Sequence, residues 1–350
     1  MTASLSEAIE FALAHEVPWP RDPAADPSRW GVHHADPPPY NRLRGPVHPR
    51  GGVSGLVEVA GREVASWGDP DRADQTFSVA KTYLALLAGI ASAQGLLRPD
   101  QPVAECLPGI GFDDAHNRTI TWNHLLQQTS EWSGTCLGMP DQVEHHRHVS
   151  HDPKPPTGRK GEPRALQAPG SYWEYNDVRI NQLSLALLHL FREPLPELFR
   201  RTVLQPLGGG EHFRWEGYDD AWVDLDRLHV QSVPGGTHWG GGVTISARDQ
   251  ARIARLLLDG GVHEGRRLLP ADWITRMQQP CPIASFYGWL VWLNRDGRIF
   301  ADAPHDSWFM VGAGGHYVWL DPAHDAVVVV RWLDPAHAAG FVRRVASALR

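Results

Sequence analysis

The chain has 350 residues, of which 42% are hydrophobic and 21% are charged, and its net charge is −7. This length allows one large domain or two intertwined subdomains with a substantial core. An acidic balance without a basic stripe argues against a nucleic-acid or anionic-membrane surface, so we expect a small-molecule partner and leave the oligomeric state open.

The first fifty residues predict little regular structure. Residues 4–15 favour a short amphipathic helix, and a proline-rich polar segment over 18–50 should run across the surface, where it could cover a site as a lid. The first sixteen residues lack the pattern of a signal peptide, and no apolar run could span a membrane. Three well-separated cysteines, Cys106, Cys136 and Cys281, favour a reduced compartment. We therefore expect a cytoplasmic location.

Two strands and a long apolar helix come next. Residues 56–67 predict a pair of strands joined at residues 60–62, and a helix follows from about Ser78 to Gly95. This helix is apolar on nearly all sides, which indicates burial between layers.

The start of this helix carries the first chemical signal. Ser78 and Lys81 are three residues apart, so the hydroxyl and the amine lie on one helical face within reach of each other. Only three lysines occur in the chain, Lys81, Lys154 and Lys160, and Lys81 is the one in an apolar helix. A desolvated lysine can lose its proton and act as a base, whereas arginine cannot. The spacing alone could arise by chance, so its context matters.

The middle of the chain alternates helices and irregular segments. Thr121 caps a short helix over 122–128, and the polar segment 141–167 predicts a long loop that is either functional or mobile. Further helices are predicted over residues 176–191, 195–204, 247–259 and 270–277.

Strands return towards the end of the chain. They are predicted over residues 287–293, 298–301, 317–320 and 327–332, before a closing helix over 336–349. This order predicts an α+β fold with an antiparallel sheet flanked by helices. Residues 1–99 and 247–350 would form the sheet subdomain, with residues 1–50 as its N-terminal helix and surface segment, and residues 100–246 a mainly helical insertion.

Five stretches in the same order resemble the serine β-lactamase-like hydrolases, the superfamily of class C β-lactamases, DD-peptidases, family VIII esterases and 6-aminohexanoate-dimer hydrolases. The resemblance implies the β-lactamase/transpeptidase-like fold and an acyl-enzyme mechanism without metal or cofactor. The matching stretches are Ser78-x-x-Lys81, 120–130, Pro169-Gly170 leading to Tyr175, 241–258, and 312–322 with the strand after it.

The resemblance also implies roles for particular residues. Ser78 would be the nucleophile, Lys81 and Tyr175 the acid–base pair, and the backbone amides of Ser78 and Ala313 the oxyanion hole. The motif Tyr-x-Asn reads Tyr175-Asn176-Asp177 here, so Asp177 is either a substrate contact or a helix cap. Without this context Tyr175 would be an ordinary packed ring.

The substrate pocket is placed around six residues. The chain has fifteen tryptophans, and those in turn-like segments could line a pocket, although most should be core. The motif Lys-Thr-Gly or His-x-Gly is absent, and Gly312-Ala313-Gly314-Gly315 stands near that strand edge, which argues against efficient β-lactam hydrolysis. The pocket candidates are Trp132, Asp177, Trp239, Gly312, Gly314 and His316.

The sequence thus predicts a serine hydrolase acting on a small ester or amide. A β-lactamase or D-amino-acid peptidase is the alternative within the superfamily, and a non-catalytic binder on the same fold is the third hypothesis. Zinc bound by His145, His146, His148 and His151, with Glu144 and Asp152 nearby, is disfavoured because His-Glu-x-x-His is absent. No Gly-x-Ser-x-Gly elbow supports an α/β hydrolase, and no dinucleotide fingerprint is complete.

Overall fold

The structure is a computed structural model that describes residues 4–149, 151–152, 154–155 and 157–350. The helices are α1 Leu5–Leu13, α2 Ala80–Ala93, α3 Val103–Cys106, α4 Trp122–Leu126, α5 Asp177–Phe191, α6 Leu195–Phe199, α7 Ala247–Leu258, α8 Ala271–Met277 and α9 Ala338–Leu349. The strands are β1 Ser54–Val59, β2 Arg62–Trp67, β3 Asp74–Gln75, β4 Thr135–Cys136, β5 Met139–Pro140, β6 Arg214–Glu216, β7 Trp222–Leu225, β8 Leu228–Gln231, β9 Gly242–Ile245, β10 Val262–His263, β11 Arg266–Arg267, β12 Trp292–Leu293, β13 Trp308–Gly312, β14 His316–Asp321 and β15 Ala326–Arg331.

The main sheet joins both ends of the chain. Within the described residues, six strands pair in the order β12-β13-β14-β15-β1-β2, and every pairing is antiparallel. Val57 of β1 lies opposite Val328 of β15, and both side chains are buried. Helices flank this sheet, so the predicted α+β fold with an antiparallel sheet is confirmed.

The sheet differs from the predicted one at its far edge. The predicted strand over 298–301 is wrong, because the side chain of Asn294 bonds the backbone there, accepting from the amides of Ile299 and Phe300. The predicted strand over 287–293 reduces to Trp292–Leu293, and β13 was not predicted. A second small sheet, β3-β9-β6, crosses from the N-terminal part into the predicted helical insertion. The division into subdomains stays a prediction.

Helix α2 is buried, as its composition predicts. All but the last two of its residues are buried, and it packs beside α5. The indole of Trp273 donates to the carbonyl of Ala85 at 2.9 Å, and a side chain at Gly89 would collide with this indole. The helix is therefore held from several sides, which gives its first turn a defined position. None of the described helices is long and apolar enough to cross a membrane.

The N-terminal segment over 18–50 does more than cover the surface. Short 3₁₀ turns form at Pro27–Arg29 and His33–Ala35. Trp30 is buried with its ring 5.9 Å from that of Trp332, and Asp36 is buried as well. The expectation of a purely surface course is wrong, since this segment packs onto the beginning of α2.

Candidate active site

Ser78 lies in a short 3₁₀ turn, Phe77–Val79, that leads directly into α2. The preceding residue, Phe77, has a left-handed backbone with φ of 52°. Such a conformation is costly for a bulky residue and persists only where packing enforces it. The ring of Phe77 is held edge-on by Trp19 and Trp332, at centroid distances of 5.4 and 6.2 Å. A packed aromatic cluster thus determines where the Ser78 hydroxyl points.

Lys81 is bonded to this hydroxyl. Its Nζ donates to Oγ of Ser78 at 2.8 Å, and only 1% of its side chain is exposed. The same ammonium forms an ion pair with Oδ1 of Asp177, the first residue of α5. The predicted contact between Ser78 and Lys81 is present, whereas the ion pair between Lys81 and Asp177 was not predicted.

Tyr175 lies next to two cations. Nζ of Lys81 is 4.8 Å from the centroid of its ring, and the guanidinium carbon of Arg147 is 5.1 Å from it. Tyr175 is 4% exposed and faces the same cavity as Ser78. Tyr175 therefore lies beside both Lys81 and Arg147 at the wall of this cavity.

The cavity in front of Ser78 has a volume of about 290 Å³. Its apolar wall comes from three parts of the chain and consists of Val32, Ala35, Val149, Trp292, Val311 and Tyr317. Its polar wall contains Arg147, Lys160, His148, His151 and His238. Val32 and Ala35 belong to the N-terminal segment over 18–50, so this segment forms part of the cavity wall.

The end of β13 forms the edge of the cavity nearest the turn before α2. Gly312 and Ala313 both line the cavity together with Ser78. A side chain at Gly312 would lie 2.2 Å from the carbonyl oxygen of Thr76, so only glycine permits this approach. The amide of Ser78 lies in the first turn of a helix, where N–H groups lack an intrahelical partner. The oxyanion hole at Ser78 and Ala313 stays a prediction.

Asp177 is neither the cap of α5 nor part of the cavity lining among the described residues. Asn176 caps the helix instead, accepting from the amide of Arg179 at 3.1 Å. Asp177 bonds Lys81, and its second oxygen lies 2.8 Å from Nη1 of Arg147 and 3.2 Å from Nδ1 of His238. Its role is therefore to hold Lys81.

Six side chains with alternating acidic and basic character close a ring around this point. We name it the charge ring, and its members in order are Asp177, His238, Asp36, Lys160, Glu144 and Arg147. Nε2 of His238 lies 2.8 Å from Oδ2 of Asp36, and Nζ of Lys160 lies 2.7 Å from Oε1 of Glu144. Through Asp177 the ring joins the N-terminal segment and the long loop to α5 and to Lys81 of α2.

Burial makes these charges depend on one another. Burial by itself would raise the pKa of Asp177, but Arg147 and Lys81 outweigh it and hold that pKa well below its usual value. Burial also opposes ionisation of Glu144, and Arg147 and Lys160 lower its pKa nevertheless. Removing one partner would leave a buried charge uncompensated, which is strongly destabilising.

A second ionic network anchors the far end of the loop. Arg164 binds Glu131 at 2.6 Å and Glu174 at 2.8 Å, and Arg179 binds Glu131 at 2.8 Å. Both carboxylates that bind Arg164, and the guanidinium of Arg179 that shares them, are nearly inaccessible. Residues 141–167 form no helix or strand beyond the 3₁₀ turn Asp141–Glu144 in their described part, and ion pairs replace backbone ladders there.

Four predicted pocket residues lie elsewhere. The indole of Trp132 donates to Gly111, and that of Trp239 donates to Asp36. Gly314 packs against Trp19 and Trp332, and His316 is fully buried 4.3 Å from the ring of Trp332. Burial lowers the pKa of His316 well below its usual value, and Arg331 and Arg50 add to this. Among the described residues that line the cavity, none of these four is present.

The histidines of the long loop do not gather around one point. His145 pairs with Asp141 at 3.0 Å and His146 with Thr157 at 2.9 Å, whereas His148 and His151 face the cavity. Over the described residues, the side chains close enough to share a metal are instead Asp36, Glu144 and His238. The ammonium of Lys160 already binds both of these carboxylates.

Comparisons with known proteins agree with this architecture. A family model described as beta-lactamase matches residues 41–333. The chain belongs to the beta-lactamase family. It is 24% identical over 282 residues to the 6-aminohexanoate-dimer hydrolase of Paenarthrobacter ureafaciens, covering 74% of this chain and 66% of that relative's length.

Two solved structures share the fold of this beta-lactamase family member. A D-stereospecific amidohydrolase from Streptomyces sp. superimposes with a TM-score of 0.58 at 16% identity, covering 97% of both chains. EstCE1, a hydrolase with promiscuous acyltransferase activity, gives a TM-score of 0.60 at 18% identity, covering 85% of this chain and 92% of that one. At such identities these likenesses concern the fold.

Several residues around Ser78 and Lys81 in this family member were not predicted from the sequence. A Cβ at Gly236 would lie 3.2 Å from Nζ of Lys81 and 3.5 Å from Oγ of Ser78, so this glycine leaves room for these two side chains. The charge-ring members Asp36, Arg147, Lys160 and His238 were also missed. A useful signal was present, however, because Lys160 is one of only three lysines and Arg147 lies in the segment predicted to be functional.

Proposed function

We propose that the protein is a serine hydrolase that cleaves an ester or amide bond of a small molecule through an acyl-enzyme on Ser78. The observation that carries this proposal is the hydrogen bond of 2.8 Å between Nζ of Lys81 and Oγ of Ser78, at the floor of a cavity that Tyr175 also faces. A nucleophile bonded to a buried amine and close to a second proton carrier is the arrangement that covalent catalysis requires.

The chemistry follows from the positions of these groups. Oγ of Ser78 attacks the acyl carbon while its proton passes to the Lys81 and Tyr175 pair. Backbone amides of Ser78 and Ala313 would hold the developing oxyanion, and the positive end of α2 favours this charge. The pair then returns the proton to the leaving alcohol or amine, and water cleaves the acyl-enzyme by the same route in reverse.

The choice between ester and amide remains part of the proposal. The relative from Paenarthrobacter ureafaciens is named as a 6-aminohexanoate-dimer hydrolase, which supports testing linear amides beside short esters. The cavity volume of about 290 Å³ suits a small acyl group. The end of β13 supplies Gly312 and Ala313 without a cation, so we expect β-lactams to be poor substrates.

Covalent labelling tests this proposal directly. A nitrophenyl phosphonate should modify Ser78 stoichiometrically, detected by peptide mass spectrometry, and Ser78→Ala should abolish both labelling and hydrolysis of nitrophenyl butyrate. Ser66→Ala is the matched control, because Ser66 lies exposed on β2 away from the cavity. Unchanged hydrolysis by Ser78→Ala would show that Ser78 is not the nucleophile.

A further inference from the structure

The cavity in front of Ser78 has an uneven distribution of charge. Among its described lining residues are Arg147 and Lys160, together with His148, His151 and His238, but no aspartate or glutamate. The compensating carboxylates of the charge ring lie behind them: the side chains of Asp36 and Glu144 are 0% exposed and that of Asp177 is 4% exposed, against 13% for Arg147 and 19% for Lys160. A molecule in the cavity therefore meets the cations first.

Arg147 binds its two carboxylate partners through only part of its guanidinium. Its closest approach to both Glu144 and Asp177 is through a single nitrogen, Nη1. Among the described residues, no hydrogen bond involves its Nε or Nη2. A guanidinium presents its N–H groups in a planar fork that matches a carboxylate, and charge-assisted bonds of this kind are stronger than neutral ones. Lys160, in contrast, is held by Asp36 and Glu144.

We propose that Arg147 binds a carboxylate of the substrate, so that the preferred substrates are esters or amides of small acids that carry a second, free carboxylate. The apolar wall from Val32 to Tyr317 would take the aliphatic chain between the scissile carbonyl and this carboxylate. This proposal rests on the proposed acyl-enzyme function and specifies its substrate class.

Two other sites are less suited to a ligand. The surface groove around Asp249 and Arg252 is polar, but these two residues already pair with each other at 2.5 Å. The group Asp36, Glu144 and His238 has the spacing of a metal site, but the ammonium of Lys160 binds its carboxylates. Arg147 lines the cavity that also contains Ser78, which favours a substrate over a structural ion.

Matched esters, with the second carboxylate either free or capped, test the proposal at four chain lengths. The mono-nitrophenyl esters of malonate, succinate, glutarate and adipate are compared with the same compounds whose free carboxylate is capped as a methyl ester. For the best chain length we expect the wild type to prefer the free carboxylate at least about tenfold in kcat/KM, since a charged hydrogen bond contributes that much or more. Salt should reduce this preference. A ratio of one or less across the series would overturn the proposal.

Variants separate substrate binding from a structural role of Arg147. Arg147→Gln should lower the ratio between the free and capped esters about tenfold, whatever happens to the absolute rates. Arg159→Gln is the control, because Arg159 belongs to the same loop but is 87% exposed and pairs only with the nearby Glu162 in the described part of the chain. If Arg147→Gln slowed both esters equally, Arg147 would merely support Tyr175 and Asp177, and the proposal would be wrong.

Binding without turnover distinguishes failure of this inference from failure of the hydrolase proposal. Calorimetry with glutarate and Ser78→Ala requires no catalysis, and we expect binding that weakens at least about tenfold when Arg147→Gln is added. Absence of glutarate binding would overturn the carboxylate assignment even if Ser78 hydrolysed neutral esters. If glutarate binds but the wild type is never acylated at Ser78, the anion site stands and the proposed hydrolase activity is wrong.

Discussion

The two sides of the cavity are positioned by different forces. Ser78 and Lys81 stand on a helix that is buried among apolar side chains, and Gly312 and Ala313 end a strand fixed by backbone pairing. Arg147, Lys160 and Asp36 stand on irregular segments that are fixed by ion pairs. One side is thus an apolar framework and the other an ionic one.

This difference has consequences for stability and function. Apolar contacts tolerate changes of pH and salt, and each contributes independently of charge state. Buried ion pairs compensate each other only while every partner is present, so one substitution affects several groups at once. We expect substitutions on the helix to stop chemistry, and substitutions on the ionic side to alter stability, pH dependence and specificity.

Lys81→Ala should have the largest effect, because it removes the group bonded to the nucleophile. We expect kcat with nitrophenyl butyrate to fall about a thousandfold or more, within the range of acid–base groups. Lys154→Ala is the control, since Lys154 lies on the loop and does not line the cavity among the described residues. Normal phosphonate labelling of Ser78 in Lys81→Ala, with the fold verified by circular dichroism, would contradict the assignment.

Asp36→Asn tests the ionic side where the N-terminal segment joins it. Asp36 binds Lys160, His238 and the indole of Trp239, and its side chain is inaccessible. The amide keeps the shape but loses the charge, so the free energy of unfolding should fall by about 3 kcal/mol in chemical denaturation. Asp22→Asn, at an exposed position of the same segment, should change it by less than about 0.5 kcal/mol. Equal effects of the two variants would refute the importance of the ring.

His151 joins the loop to the sheet and makes this contact depend on pH. Its ring lies 5.5 Å from Trp292 and 5.6 Å from Phe300, and burial lowers its pKa to about 4. Below pH 6.5 the His151 ring becomes protonated in the unfolded chain but stays neutral in the folded protein down to about pH 4. The free energy of unfolding therefore declines as the pH falls. Between pH 6.5 and 5 this amounts to about 2 kcal/mol. His316 contributes a decline of the same sign, so in urea denaturation His151→Phe should show a decline smaller by about this amount, whereas the exposed His212→Phe should retain it in full.

The apolar side of the cavity could be predicted from the sequence. The apolar composition of residues 79–91 predicts a buried helix, and the i to i+3 spacing of Ser78 and Lys81 predicts their contact. The paired strands β1 and β2 follow from alternation and a turn. Each of these inferences uses residues that are close in the chain, where local geometry determines which side chains come into contact.

The ionic side could not be predicted in the same way. Asp36, Lys160 and His238 meet although they are far apart in the chain, and no periodicity connects them. Strand β13 was missed because Trp308 to Gly312 is short and its pairing with β14 depends on tertiary contacts. His316 was placed in the pocket from its closeness to Gly312, but its side chain points into the aromatic cluster of Phe77 and Trp332.

Asp177 belongs to both sides, since it binds Lys81 and also Arg147 and His238. Its carboxylate pairs with Lys81, whose Nζ donates to Oγ of Ser78, so we expect Asp177→Asn to lower kcat/KM for nitrophenyl butyrate. Misplacing a group beside the nucleophile should cost up to about a hundredfold.

The variant Asp141→Asn provides the comparison for this loss of activity. Asp141 is a buried carboxylate that pairs with Arg179 and His145 and makes no ion pair with Lys81 in the described structure. If Asp177 serves only to stabilise the fold, both variants should lower the free energy of unfolding, and the folded fraction of each should keep its kcat/KM. If Asp177 positions Lys81, only Asp177→Asn should also lower kcat/KM, because only this carboxylate connects the ionic side of the cavity to the amine beside Ser78.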